Sequence, residues 1–147
     1  MAAIVSGIDI ARPPEQVFSY VTDPSRFAEW QAGVVSGRTE GDAAPAPGAR
    51  SVVTRHVGGS DRAFTSEITE IDPPRIWAIR GVDGPVRAAV RVTVEPSQDG
   101  RQSHVAISLN FSGHGLGKML LPGVIRQARK EAPQNCQKLK ERLERAG

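Results

Sequence analysis

The side chains of this 147-residue chain that could do chemistry are few, and most lack the neighbours that chemistry needs. His56, His104 and His114 fall on separate segments without metal-ligand spacing, and the one cysteine, Cys136, can complete neither a disulfide within the chain nor a multi-cysteine zinc site. No G-x-S-x-G elbow is present for a nucleophilic serine, and Cys136 reads as a small buried hydrophobe. The run Gly113-His114-Gly115-Leu116-Gly117-Lys118 resembles a phosphate loop only superficially. Such a loop needs Gly five residues before the Gly-Lys pair and Ser or Thr after it, and Ser112 and Met119 occupy those places. It reads instead as a glycine-rich bend. No metal and no cofactor is therefore expected. What remains is acid/base or electrostatic work by Glu70 and Arg55, if the fold brings them to an apolar face. A desolvated Glu70 would have a raised pKa, and Arg55 could polarise a ketone and stabilise an enolate. A satisfied, structural role for both at a pocket rim stays open beside this.

Those positions must be supplied by strands and helices, and the pattern along the chain defines them. Ile4, Val5, Ile8 and Ile10 make a first strand over residues 3–11 that ends at Arg12-Pro13-Pro14. The two prolines suit a helix first turn, Val17, Phe18 and Val21 give its buried stripe, and Asp23-Pro24 ends it. A second short helix covers Pro24 to Trp30. From Val34 to Phe111 short β-branched segments alternate with turns at 41–48, 58–61, 72–74, 82–85 and 96–100, which predicts six antiparallel strands. The proline-rich 41–48 stretch is a polyproline-like loop. Beyond Gly117, Leu120, Val124, Ala128, Ala132, Cys136, Leu139 and Leu143 recur every three or four residues, which predicts one long helix bent at Pro133.

Side chains alternate across a strand, so pairing each hairpin over its turn predicts the inner face. The turn at 82–85 sets Gly81 against Val86 and puts Trp77 and Ile79 with Val86, Ala88, Val90, Val92 and Val94. The turn at 96–100 adds Val105, Ile107, Leu109 and Phe111. The turn at 72–74 aligns Ile68 with Ile79 and Glu70 with Trp77, so Phe64 and Ser66 also point inward. Arg55 follows across 58–61, although a bulge there would exchange it for His56.

Composition narrows the class. With 39% hydrophobic and 24% charged residues the chain is an ordinary globular one, and its length predicts one domain over 1–147. The net charge of +3 is dispersed, and the basic stretch 126–145 is interleaved with Glu131, Glu141 and Glu144 as on a solvated helix face, so nucleic acid is not an expected partner. No segment reads as a secretory signal or a membrane span, and lone-cysteine usage fits a reducing compartment, so a cytoplasmic location is expected. Few lysines against many arginines, with frequent alanine, fit a bacterial gene.

The order strand, two short helices, six-stranded meander and long helix, with Ile10-Ala11-Arg12-Pro13-Pro14-Glu15-Gln16-Val17-Phe18, Asp23-Pro24 to Trp30, Ile68 to Pro74 and Leu139 to Glu144, resembles the START/Bet v 1-like superfamily. More narrowly it is similar to the polyketide cyclase/dehydrase and lipid-transport family. The resemblance spans essentially the whole chain. It implies an α+β helix-grip fold, a seven-stranded antiparallel sheet wrapped around the C-terminal helix with a hydrophobic pocket between. A polyketide-, lipid- or isoprenoid-like ligand would then contact Trp30, Arg55, Phe64, Ser66, Ile68, Trp77, Ile79, Val90, Val92, Ile107, Leu109 and Phe111, with Met119, Leu120 and Val124 from the helix. A polyketide cyclase or dehydrase using Arg55 and Glu70 in the same pocket, and a subunit that docks on another protein, are the alternatives. A monomer or homodimer is compatible with all three.

Overall fold

The computed structural model describes residues 3–42 and 44–145. Ala43, within the proline-rich loop, and Met1, Ala2, Ala146 and Gly147 lie outside the described residues. Strand β1 (Ile4–Ile10) leads through Pro13 into helix α1 (Pro14–Val21) and a 3-10 helix at Pro24–Glu29. Strands β2 (Val34–Thr39), β3 (Arg50–Val57), β4 (Ser60–Asp72), β5 (Ile76–Gly81), β6 (Val86–Ser97) and β7 (Gln102–Gly113) follow, then helix α2 (Gly117–Arg145). All seven strands form one antiparallel, curled sheet in the order β1-β7-β6-β5-β4-β3-β2, so the first strand closes against the last. This is the helix-grip arrangement that the resemblance implies.

Proline placement explains both short helices. Pro14 sits at the start of α1, where the missing amide has no intrahelical acceptor to lose. The 3-10 helix is opened by Asp23, whose carboxylate accepts from the Ser25 amide at 3.0 Å. It is held on β2 by Gly37, where any Cβ would stand 2.3 Å from the Pro24 carbonyl oxygen. At the far end of the chain, α2 runs unbroken through Pro122 and Pro133.

Cross-strand pairing sorts the inner face into rows. Ile8, Val105 and Val94 form one, and Ser6, Ile107, Val92, Trp77 and Ile71 the next. Apart from the half-buried Ile8, Ser6 and Ile71, these residues are buried, and they join Ile10, Val17, Phe18, Val21, Cys136, Leu139 and Leu143 in the core. Below them run Ile4, Leu109, Val90, Ile79 and Ile68, then Phe111, Ala88 and, across β4 and β3, Ser66 and Ser51. Every residue of these lower rows is only half-buried. The sheet thus has a closed end beneath the C-terminal half of α2 and an open end toward its N-terminal half.

Two registers depart from the expected ones. Across the 82–85 turn the pairs are Ile79 with Val90 and Trp77 with Val92, two residues longer than the pairing of Gly81 with Val86. A two-residue slip preserves the face, so the inner assignment survives. In β4 a bulge at Thr69 sets Glu70 against Ala78 and Ile71 against Trp77. One extra residue reverses the parity of every later position in the strand. Glu70 is therefore on the outer face, exposed and ion-paired with Arg91, not on the pocket side.

A candidate ligand groove centred on Arg55

Arg55 is a half-buried cation of the inner face, which its exposed cross-strand neighbour Arg62 shares. It pairs with Arg62 across β3–β4, next in phase to Val53 opposite Phe64, while His56 points outward and meets the exposed Asp61 at 2.8 Å. On the inner side the Arg55 Nη2 donates to Gln31 Oε1 at 2.9 Å. Desolvation lowers the Arg55 pKa below the ordinary guanidinium value, and the charge of Glu131 on α2 partly restores it. A guanidinium has five N–H donors, and a single neutral amide partner leaves it free to take a planar anion or a polarised carbonyl. Neither Gln31 nor Glu131 is visible as a site residue in the sequence. Glu131 falls among alternating charges that read as a solvated face, and Gln31 carries no signal beyond its place after Trp30.

Trp30 caps this corner. Its ring stands edge-on to Phe27 with centroids 6.0 Å apart, and Phe27 in turn meets Trp77 at 6.1 Å. The Trp30 Nε1 is buried with no hydrogen-bond partner, a donor that an oxygen atom would complete. Beside it a half-open cleft of about 360 Å³ is lined by Trp30, Gln31, Gly33 and Val34 on one wall and Gln134, Asn135 and Lys138 of α2 on the other. A second depression, of about 430 Å³, lies along α2 itself between Pro133 and Glu141 and is only a dent between side chains of one helix.

The expected lining residues divide into three groups. Phe64, Ser66, Ile68, Ile79, Val90, Leu109 and Phe111 lie together on the half-buried rows, and Val124 on α2 is half-buried as well. Trp77, Val92 and Ile107 are at most 7% exposed and already enclosed by protein neighbours. Met119 and Leu120, expected on the inner face, are instead 79% and 54% exposed. The buried line of α2 runs through Gly117, Ala132, Cys136, Leu139 and Leu143, and a 100° step per residue carries Met119 well off that line.

The approach of α2 to the sheet is set at both ends. Near its N-terminus a Cβ on Gly117 would lie 1.8 Å from the Pro85 carbonyl oxygen. At its C-terminus Glu144 accepts from the Ala11 amide at 2.9 Å and from Lys140 at 2.6 Å, and Arg12 donates to the Glu144 carbonyl. Lys140 first, then the Ala11 amide, draws the Glu144 pKa below the usual carboxylate range. Between these fixed ends Ala128 and Ala132 are small, and α2 packs chiefly against β1 and β7 and less against β6. Apart from the buried Val53 and Trp77, the inner faces of β3, β4 and β5 are not covered by α2 and stay half-buried or exposed. Among the described residues no three His, Cys, Asp or Glu side chains gather as a metal cluster, and no helix is long and apolar enough to cross a membrane.

A curled antiparallel sheet gripping one long helix, with a partly open apolar face between them, defines the START/Bet v 1-like class. Within it the chain belongs to the polyketide cyclase/dehydrase and lipid transport family, whose pattern matches residues 1–144. Among solved structures it is similar to a START superfamily protein from Mycobacterium smegmatis, at 13% identity over all of both chains with a TM-score of 0.79. It is also similar to the Zhui aromatase/cyclase from Streptomyces, at 15% identity over 97% of this chain and 93% of that one, with a TM-score of 0.76. The di-domain ARO/CYC BexL matches at 17% identity and a TM-score of 0.75 over 98% of this chain, which spans about half of that protein's length, 47%. Comparison with curated proteins gives no match.

Proposed function

We propose that the protein binds a hydrophobic or aromatic small molecule, of polyketide, lipid or isoprenoid type, in the groove between the lower rows of the sheet and the N-terminal half of α2. The observation that carries this reading is the pairing of opposites there. Phe64, Ile68, Ile79, Val90, Leu109 and Phe111 are apolar yet half-exposed, beside one desolvated guanidinium with a single neutral partner. Apolar walls with a few convergent polar groups are the usual make-up of a small-molecule site. The rings and aliphatic side chains would hold the ligand body, and Arg55 would hold an oxygen at its polar end. Membership of the family and the likeness of the fold to an aromatase/cyclase support the same ligand chemistry.

The experiment is titration with an environment-sensitive dye, joined to native mass spectrometry of protein purified from its own host. Uptake of dye that is reduced by Ile79→Arg or Val90→Arg, and a co-purified apolar compound, are expected. No uptake by a folded protein would overturn the reading.

Catalysis on a ketone-bearing precursor is a second reading, favoured by one observation: the desolvated Arg55 feels the opposite charge of Glu131 on α2. Arg55 would stabilise a developing enolate, with Glu131 as the nearby base, and Glu70 has no part in it. Arg55→Met should then abolish turnover while leaving uptake of a neutral dye intact. Turnover that survives in this variant would leave binding alone.

A further inference from the structure

The N-terminal tip of α2 is apolar where it should be polar. Leu116 is 78% exposed, Met119 79% and Leu120 54%, three large apolar side chains within five residues. Scattered surface leucines need no explanation, but a contiguous group at one protruding tip marks a surface that meets something. The charges of its own segment share one sign, and Asp83 on the neighbouring turn is the acidic exception. Between Asp99 and Glu131 the chain has no Asp or Glu, and the first half of α2 carries Lys118, Arg126, Arg129 and Lys130. Asp83, on the neighbouring β5–β6 turn, accepts from the Thr65 amide, and Arg87 lies beside it on β6 with its Nε donating to Gly84.

We propose that this tip docks on an anionic lipid bilayer, with Leu116, Met119 and Leu120 entering the interface and Lys118 and its neighbours meeting the headgroups. The size and shape of the patch favour a bilayer over a folded protein. A stable protein interface buries upward of about 1,000 Å² with matched shape, far more than three side chains on a helix tip supply. Interfacial attachment to lipid needs only a few apolar side chains with a basic surround and no shape matching. The tip also stands at the open end of the sheet, beside the row that contains Phe111, so docking turns the groove toward the lipid. The docking itself does not require the groove to bind anything.

The test is flotation with vesicles of phosphatidylcholine alone and of phosphatidylcholine with phosphatidylglycerol. The protein should float with the anionic vesicles and not with the neutral ones, and added salt should weaken the association. Leu116→Glu and, separately, Lys118→Glu should each reduce it, the first by about ten-fold or more given the loss of insertion and the added repulsion. Arg101→Glu, which makes the same change of charge at the β6–β7 turn near the opposite end of the sheet, should reduce it much less. Failure to float with anionic vesicles, or equal losses from Lys118→Glu and Arg101→Glu, would overturn the proposal. Dye uptake measured on the Leu116→Glu protein should equal that of the parent, so a failed groove and a failed tip give different results, and thermal melting of both variants guards against loss of fold.

Discussion

Two glycines on the same helix should answer the same substitution in opposite directions. At Gly123 an added Cβ meets nothing within 4 Å, so Gly123→Ala removes only backbone freedom from the unfolded chain. It should stabilise by about 0.5–1 kcal/mol. At Gly117 the same methyl would stand 1.8 Å from the Pro85 oxygen and 2.4 Å from its carbonyl carbon, where ordinary contact begins at 3.4 Å. Both atoms are backbone and cannot rotate away. That oxygen also accepts from the His114 amide at 2.7 Å, so parting the two segments strains a hydrogen bond worth about 1 kcal/mol. Overpacking of this kind costs about 1–3 kcal/mol or more, against at most about 1 kcal/mol of helix propensity gained. The net loss should be about 2 kcal/mol. For a chain of this length that lowers the melting temperature by roughly 6 °C, while Gly123→Ala raises it by roughly 2 °C. Thermal unfolding followed by far-ultraviolet circular dichroism measures both. If Gly117→Ala melts at or above the parent temperature, α2 does not rest on the β5–β6 turn, and the closing of the groove at that end fails with it.

Further outcomes can be checked on the same preparation. Glu70→Gln should cost less than about 1 kcal/mol and leave dye uptake unchanged, because the pair with Arg91 is half-exposed on the outer face; a loss of uptake would return Glu70 to the groove. Glu144 has a folded pKa below its unfolded one, so its contribution to stability is complete above the unfolded value and is lost as pH falls through the folded value. Denaturant melts of Glu144→Gln and the parent should therefore differ near neutrality and converge in acid. Burial raises the Cys136 thiol pKa, with a 3.4 Å contact to Ser6 Oγ only partly opposing it. Its reaction with a thiol reagent at neutral pH should be slow in the native protein and fast in denaturant.

How far the fold could be read depended on whether a rule had parity or local chemistry behind it. Turn residues and alternation placed Trp77, Val92 and Ile107 on the inner face even though the 82–85 pairing slipped by two, because an even slip changes nothing. They placed Arg55 inward and His56 outward because the β3–β4 hairpin pairs without a bulge. Alternation breaks at Thr69, since a bulge inserts one residue without any composition that announces it, and Glu70 lies on the outer face. On α2 the apolar period marked the buried stripe through Leu139 and Leu143, yet hydrophobicity alone could not say that Met119 and Leu120 step off it near the helix start. Gln31 reaches Arg55 only through tertiary contact between the 3-10 corner and β3, and the charge of Glu131 acts on it from α2, neither of which any local pattern contains.

The pairing of the first strand with the last has a kinetic consequence. Hairpins β3–β4 through β6–β7 join neighbours in the chain and can form as soon as their turns close. β1 must instead find β7 across nearly the whole sequence, with Ile4 opposite Leu109 and Ile10 opposite Ser103. Contacts of such separation pay their loop entropy before they return anything, and they slow folding. Helix α2 rests chiefly on the surface those two strands share, so it has no finished seat until they meet. The meander should therefore gain protection from hydrogen exchange early in refolding, with β1 and the C-terminal half of α2 acquiring it together in the last step.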